Sequence, residues 1–339
     1  MTGWKDVTRV LCIRLDSLGD VLMTTPAIRA AREAAAHVTL LTSPAGAAVA
    51  KLVPEIDEVI VFEAPWMKAA RASPAATVAL IEQLRGRFDA AVIFTVWSQN
   101  PLPAAMLVHL AGIPLCLAHC RERAYHLVSD AVPETEPESG IRHEVRRQLD
   151  LVAQVGWRPS SEALSLAFSA ADTAAVAPHV PPGQWALIHP GASAPSRRYP
   201  PEMFIEAMLL LAERGWRFVV TGDAGETALA GMLAAVPGAV SLAGRLSLGE
   251  LAALIARAPV VIANNSGPAH IAAAVGTPVV DLYALTNPQH TPWQVPSRVL
   301  SHDVPCRWCL ASVCPQGHHL CLRGVAPGAV AAAALELTA

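Results

Sequence analysis

Short apolar runs alternate with longer segments of helical apolar spacing along almost the whole chain. The runs predict strands at 8–14, 37–42, 58–63, 89–96 and 113–118, and again at 185–189, 216–221, 239–242, 259–263 and 278–283. Between them, apolar residues three and four apart predict helices over 26–36, 44–53, 75–86, 101–111 and 142–156, then over 201–214, 225–235, 247–257 and 267–275. A last helix is expected near 327–337, packed on either half. Alternation of this kind builds parallel sheets, because a parallel connection must cross a sheet face and the crossing helix covers it.

The rhythm breaks at 159–182, where Pro159, Pro178, Pro181 and Pro182 sit among small residues with little periodicity. The chain therefore reads as α/β with two doubly wound domains, 1–165 and 166–339. Such sheets bind ligands beyond the carboxyl ends of their strands, so the expected site is a cleft between the domains.

Composition narrows the classes. At 339 residues, 53% hydrophobic and 16% charged, the chain can bury two cores. Its net charge of -3 is spread over both halves with no basic tail, which excludes a nucleic acid as the main partner. The first apolar run, Val10 to Ile13, lies between Arg9 and Arg14 and is too short for an export signal. The charge-free stretch 90–120 is broken by Pro101, Pro103, Gly112 and Pro114, so it does not read as a membrane span. The expected location is the cytoplasm, with peripheral contact to the inner membrane surface left open.

Four strand-to-helix junctions hold candidate chemistry. In "RLDSLGDVLMTTPAI", Arg14 to Ile28, a strand ends in a polar turn with neither the G-x-G-x-x-G of a dinucleotide fold nor the Lys-Ser/Thr of a P-loop. Asp20 there either caps the following helix or serves as a base; Asp16 is a second candidate. "HPGASAPSRRYP" offers Ser193, Ser196 and Arg197 as a diphosphate cradle, or simply a solvated loop. "VVTGDAGET" places Asp223 and Glu226 where a carboxylate accepts from ribose hydroxyls or favours a helix start. In "NNSGPAHIAAAVG", Ser266 and Gly267 open a helix whose free amides can bind an anion, and His270 is either a ligand contact or a packed core residue.

Taken in order, "RLDSLGDVLMTTPAIRAARE", "HPGASAPSRRYP", "LAGRLSLGELAALIARA" and "NNSGPAHIAAAVGTPVVDLYALTNPQHTPW" resemble the blocks of the heptosyltransferases, glycosyltransferase family 9, over nearly the whole chain. The resemblance implies a GT-B fold and an inverting transfer of a sugar, above all heptose from ADP-heptose, to a hydroxyl of a lipopolysaccharide core or another glycan or small-molecule acceptor. It makes Asp20 the general base. It gives Ser193 and Arg197 to the diphosphate, Glu226 to the ribose, Leu246 to the adenine, and Asn265, Ser266, Gly267 and His270 to the donor turn. Many family members carry aspartate where this chain has Asn265, so a metal or sugar role at that position is in question. No organic cofactor is implied, and transfer without an obligatory divalent cation is expected, with dipoles and Arg197 stabilising the leaving group. Acceptor-binding residues are not assigned; Arg121, Arg123 and His126 would either meet an anionic group or form a solvated face. Two other readings stay open: a GT-B sugar-nucleotide epimerase, and a sugar-binding protein without enzymatic activity.

Four of the seven cysteines fall in "CRWCLASVCPQGHHLC": Cys306, Cys309, Cys314 and Cys321. In a reducing compartment this C-x2-C-x4-C-x6-C spacing suggests a structural zinc site, with free thiols or disulfides as the alternatives.

Overall fold

Arg9–Arg14 forms β1, buried from Val10 onward, and is followed in the sheet by β2 (His37–Thr42), β3 (Glu58–Val61), β4 (Ala90–Ile93), β5 (Leu115–Cys120) and β6 (Asp130–Pro133). All pairings are parallel, in the order β3-β2-β1-β4-β5-β6. The connections carry α1 (Leu18–Ala34), α2 (Pro44–Ala50), α3 (Pro74–Leu84), α4 (Leu102–Leu110) and α5 (Glu144–Ala153). Leu11, Ile13, Leu41, Ile93 and Leu107 are among the residues of the core beneath one face. This computed structural model describes residues 3–68 and 73–339.

α1 starts at Leu18, eight positions before the predicted start, and runs through Pro26. A proline inside a helix leaves the carbonyl four residues back without its N–H partner. Here Thr25 Oγ1 donates to that carbonyl, Leu22 O, at 2.6 Å, so the helix continues. α2 lies close to α1 because Gly46 has no side chain: a Cβ there would come within 2.9 Å of Val21 Cγ2.

The second half repeats the scheme. α6 (Ala170–Val176), β7 (Trp185–His189), α7 (Pro201–Ala212), β8 (Arg217–Val220), α8 (Thr227–Leu233), β9 (Ala239–Ser241), α9 (Leu248–Arg257), β10 (Val261–Asn264), α10 (Gly267–Val275), β11 (Val279–Leu282), β12 (Ser297–Leu300), α11 (Leu320–Arg323) and α12 (Pro327–Thr338) follow in order. The sheet runs β12-β11-β10-β7-β8-β9, again all parallel. Ile188, Phe204, Phe218, Ile262 and Val330 contribute to its core. α12 packs on α7, β11 and β12.

Contacts divide the chain into two units, Met1–Leu166 and Ala167–Ala339. In each sheet the order reverses beside the first strand, β1/β4 in one and β7/β10 in the other, and ligands of doubly wound sheets bind at such switch points. Edge strands β6 and β12 were not predicted, and α6 lies inside the expected linker. Both strands consist of half-buried and exposed residues with none fully buried, so neither leaves an apolar run to read. Among the described residues no helix is long and apolar enough to cross a membrane.

Candidate active site

At the end of β1 the chain turns through Leu15, Asp16 and Ser17 into α1. Asp20 sits in the first turn, where its Oδ2 accepts from Ser17 N (3.0 Å) and Ser17 Oγ (2.6 Å). Its Oδ1 accepts from Arg14 Nη2 at 3.1 Å. The carboxylate thus caps the helix and is also held by a buried cation. Its side chain keeps 15% exposure, so a reactant can reach it.

Arg14 itself is fully buried. Besides Asp20 it pairs with Asp16 (Nε–Oδ2 3.0 Å) and with Glu144, at the start of α5 (Nη1–Oε1 2.8 Å). Burial alone would lower the proton affinity of the guanidinium, but Asp16, Glu144 and Asp20 outweigh it and hold Arg14 firmly protonated. Glu144 Oε1 also accepts from Gln148 Nε2 (2.8 Å), and Gln148 Nε2 and Arg147 Nε both donate to Thr95 O after β4. A continuous polar network thus fixes the floor beneath Asp20.

Arg121, Arg123 and His126 line a cavity of about 590 Å³ in the same unit. Arg121 Nη2 donates to Glu136 O at 2.7 Å, and Arg123 stacks on Tyr125 with 5.1 Å from Cζ to the ring centroid. Both guanidinium groups have protein partners.

In the second unit, the loops after β7, β8, β9 and β10 interlock. Asn264 Nδ2 donates to Pro190 O (2.7 Å), Tyr199 N donates to Asn264 Oδ1 (2.9 Å), and Ser266 Oγ donates to Gly191 O (3.4 Å). These bonds bring Ser266 and Gly267 beside the 190–199 loop. Ser193 is exposed on that loop and Arg197 half-buried. Ser196 departs from the expected cradle: its Oγ is buried and donates to Ala311 O at 2.7 Å. The start of α10 offers fewer than the four free N–H groups usual at a helix N-terminus. Pro268 has none, and Ala269 N donates to Ser266 O at 3.1 Å.

Glu226 fills the space beside Gly191 and Gly222. A Cβ on Gly191 would lie 2.0 Å from Glu226 Oε1, so only glycine admits the carboxylate there. Glu226 Oε2 accepts from Asp223 N (3.0 Å) and faces His189 Nε2 at 3.8 Å. Burial keeps His189 neutral, its proton affinity lowered to about 4. Leu246 is half-buried between β9 and α9, and the Gly244 N to Gly222 O bond (2.9 Å) joins its loop to the one carrying Glu226. His270 is buried in the first turns of α10, 4% exposed.

Asn265 Nδ2 donates to Asp281 Oδ2 (3.1 Å) and to His290 O (2.7 Å). Asp281 is fully buried, and burial pushes its carboxyl up to about 7 despite the bond from Asn265. An aspartate at 265 would set two carboxylates face to face, so the amide is the residue this pocket accepts. A carboxyl raised in the folded state costs stability as pH climbs from its unfolded value, 3.8, through about 7. Asp281→Asn, compared with wild type by thermal melting across pH, should therefore gain relative stability from pH ~4 to ~7 and level off above. A difference that stays flat with pH would contradict this assignment.

The cysteine segment does not assemble the predicted zinc site. Among the described residues no three His, Cys, Asp or Glu side chains are grouped so as to hold a metal ion. Cys309 is exposed, and Cys306, Cys314 and Cys321 are half-buried free thiols. Cys306 Sγ faces His318 Nε2 at 3.8 Å. Burial raises the Cys314 thiol, but the backbone amides of His319, Gln316, Gly317 and His318 together outweigh it and lower the thiol. The segment's path is set by its hydrogen bonds: Trp308 N to Leu285 O (2.7 Å), Leu310 N to Thr286 O (2.8 Å) and Ser196 N to Ser312 O (3.0 Å). These tie it to the loop after β11 and to the 190–199 loop rather than gathering its thiols about a centre.

Two all-parallel six-stranded sheets flanked by helices match the GT-B fold of solved heptosyltransferase structures. Residues 77–320 match the family model "Glycosyltransferase family 9 (heptosyltransferase)". The chain belongs to that family, and it is an enzyme of the glycosyltransferase class. It is 28% identical over 321 residues to lipopolysaccharide heptosyltransferase 1 of Pseudomonas aeruginosa, covering 90% of this chain and 87% of that protein. Among solved structures it resembles a family 9 glycosyl transferase of Veillonella parvula (TM-score 0.81, 22% identity, 100% of this chain and 98% of that one). It also resembles E. coli heptosyltransferase WaaC with ADP-2-deoxy-2-fluoro heptose (TM-score 0.69, 22% identity, 95% and 98%).

Proposed function

We propose that this enzyme transfers heptose from ADP-heptose, with inversion, to a hydroxyl of a lipopolysaccharide-core acceptor. The observation that carries the reading is Asp20, held by a buried arginine at the switch point of one sheet, while in the other the loops after β7 and β10 present Gly191, Ser266 and Gly267 and the loop after β8 brings Glu226 beside Gly191. Asp20 takes the acceptor's proton as the hydroxyl oxygen bonds to the anomeric carbon. The bond from that carbon to the diphosphate oxygen breaks, and ADP leaves with the electron pair. Ser193, Arg197 and the amide of Gly267 hold the diphosphate and stabilise its growing charge. Glu226 accepts from the ribose hydroxyls, and Leu246 lies along the adenine. His270, in the same first turns of α10 as Gly267, is assigned with it to the donor turn. The P. aeruginosa relative is a lipopolysaccharide heptosyltransferase, and the E. coli structure holds an ADP-heptose analogue, which supports the choice of donor and acceptor.

A panel of nucleotide sugars tests the donor. A ligand that binds only the folded chain adds about 2.7 kcal/mol at a hundred times its Kd, which raises Tm by several degrees. ADP-heptose and ADP should give this shift; UDP- and GDP-sugars at equal concentration should not. A shift with UDP-sugars alone would overturn the donor assignment. Donor breakdown that proceeds equally without acceptor would favour an epimerase or hydrolase.

A further inference from the structure

The proposed base does not stand alone. Each of the three nitrogens of Arg14 meets a different carboxylate, Asp16 through Nε, Asp20 through Nη2 and Glu144 through Nη1, at 2.8–3.1 Å. One cation among three carboxylates leaves surplus negative charge around a buried guanidinium, and close like charges there cannot all be held cheaply. Glu144, in the first turn of α5, accepts from the Gln148 amide; Asp20, in the first turn of α1, accepts from the Ser17 donors. The surplus settles on Asp16. Burial raises its carboxyl to about 6, Asp20 and Glu144 adding to the rise, Arg14 and the Gln99 amide (2.5 Å) opposing it. Asp16 also lines, with Gln99, Thr95, Trp66 and Lys68, a cavity of about 350 Å³, so its proton can exchange with solvent without unfolding. Lys68 places a cation in the same wall.

We propose that Arg14 and Asp16 are positioning residues for the transfer: the buried guanidinium fixes Asp20 as the base, and the second carboxylate on that guanidinium sets how readily Asp20 takes up the acceptor's proton. The inference rests on Asp20 being the base. With Asp16 ionised, Asp20 shares its cation with another anion and competes well for a proton. With Asp16 protonated, Arg14 stabilises the ionised Asp20 more fully and the base weakens. The rate of transfer should then climb as Asp16 loses its proton, over and above any limb that Asp20 itself contributes.

The experiment is the pH profile of kcat for heptose transfer by the full chain, in wild type, Asp16→Asn, Arg14→Lys and Asp20→Asn. Wild type should show a rise in kcat near pH 6. Asp16→Asn should lose that rise, and at neutral pH its kcat should fall about tenfold, as expected when one pKa unit passes into the rate. Its KM for the donor should not move. Arg14→Lys keeps the charge but cannot serve three carboxylates at once, so kcat should drop with donor KM unchanged. Should that variant fail to fold, the Asp16→Asn profile still decides. An Asp16→Asn profile that keeps both the rise near pH 6 and the neutral kcat would overturn the inference. Normal turnover in Asp20→Asn would instead remove the base assignment beneath it.

Discussion

Asp20→Asn should lower kcat by about 10²–10⁴-fold, the range a general base supplies. The substitution is nearly isosteric. The amide oxygen can still accept from Ser17, and Arg14 keeps Asp16 and Glu144 as anions, so the loss of a cap should cost stability only about 1 kcal/mol. The loops proposed to hold the nucleotide belong to the other unit, so the Kd for ADP should stay within about twofold of wild type, well under the 1.4 kcal/mol of a tenfold change. Steady-state kinetics beside an ADP titration separate the two effects. A variant that turns over normally removes Asp20 from the chemistry; one that also loses ADP affinity shows a distorted fold rather than a missing base.

Arg197→Ala should act on the opposite side of that division. Charge-assisted hydrogen bonds contribute about 1.5–3 kcal/mol, so the Kd for ADP should weaken by about 10–100-fold. Because the diphosphate gains charge as it departs, kcat should fall as well, and kcat/KM more than either parameter alone. Lysine at 197 should recover part of the affinity but not a two-pronged grip. Calorimetric titration with ADP and with adenosine measures this directly: the loss should appear with ADP and be absent with adenosine. Equal losses with both ligands would place Arg197 at the nucleoside rather than the diphosphate.

Much of this arrangement was legible in the chain because it rests on local rules. Parallel strands buried on both faces read as plain apolar runs, and the glycine- and serine-bearing turns after β7 and β10 announce themselves. Legibility failed where distant residues decide. Arg14 reads as the polar end of a strand; nothing nearby discloses that Glu144, 130 positions on, will meet its guanidinium. Asn265 reads as a lost carboxylate, yet Asp281 waits beneath it. The edge strands lack the apolar run that marks their neighbours. Cysteine spacing suggested a metal centre, whereas hydrogen bonds to three other loop positions direct that segment's path. The helix predicted over 26–36 begins at Leu18 and passes Pro26, because Thr25 supplies the bond that the proline withholds.

The most direct measurement of the central claim is the yield of transfer itself. Purified enzyme, ADP-heptose and a heptose-free lipopolysaccharide-core acceptor should give heptosylated acceptor and ADP in equal amounts, read by mass spectrometry and nucleotide chromatography. Without acceptor, ADP release should be negligible. Release of ADP with no heptosylated product, or a product formed only from another nucleotide sugar, would contradict the account.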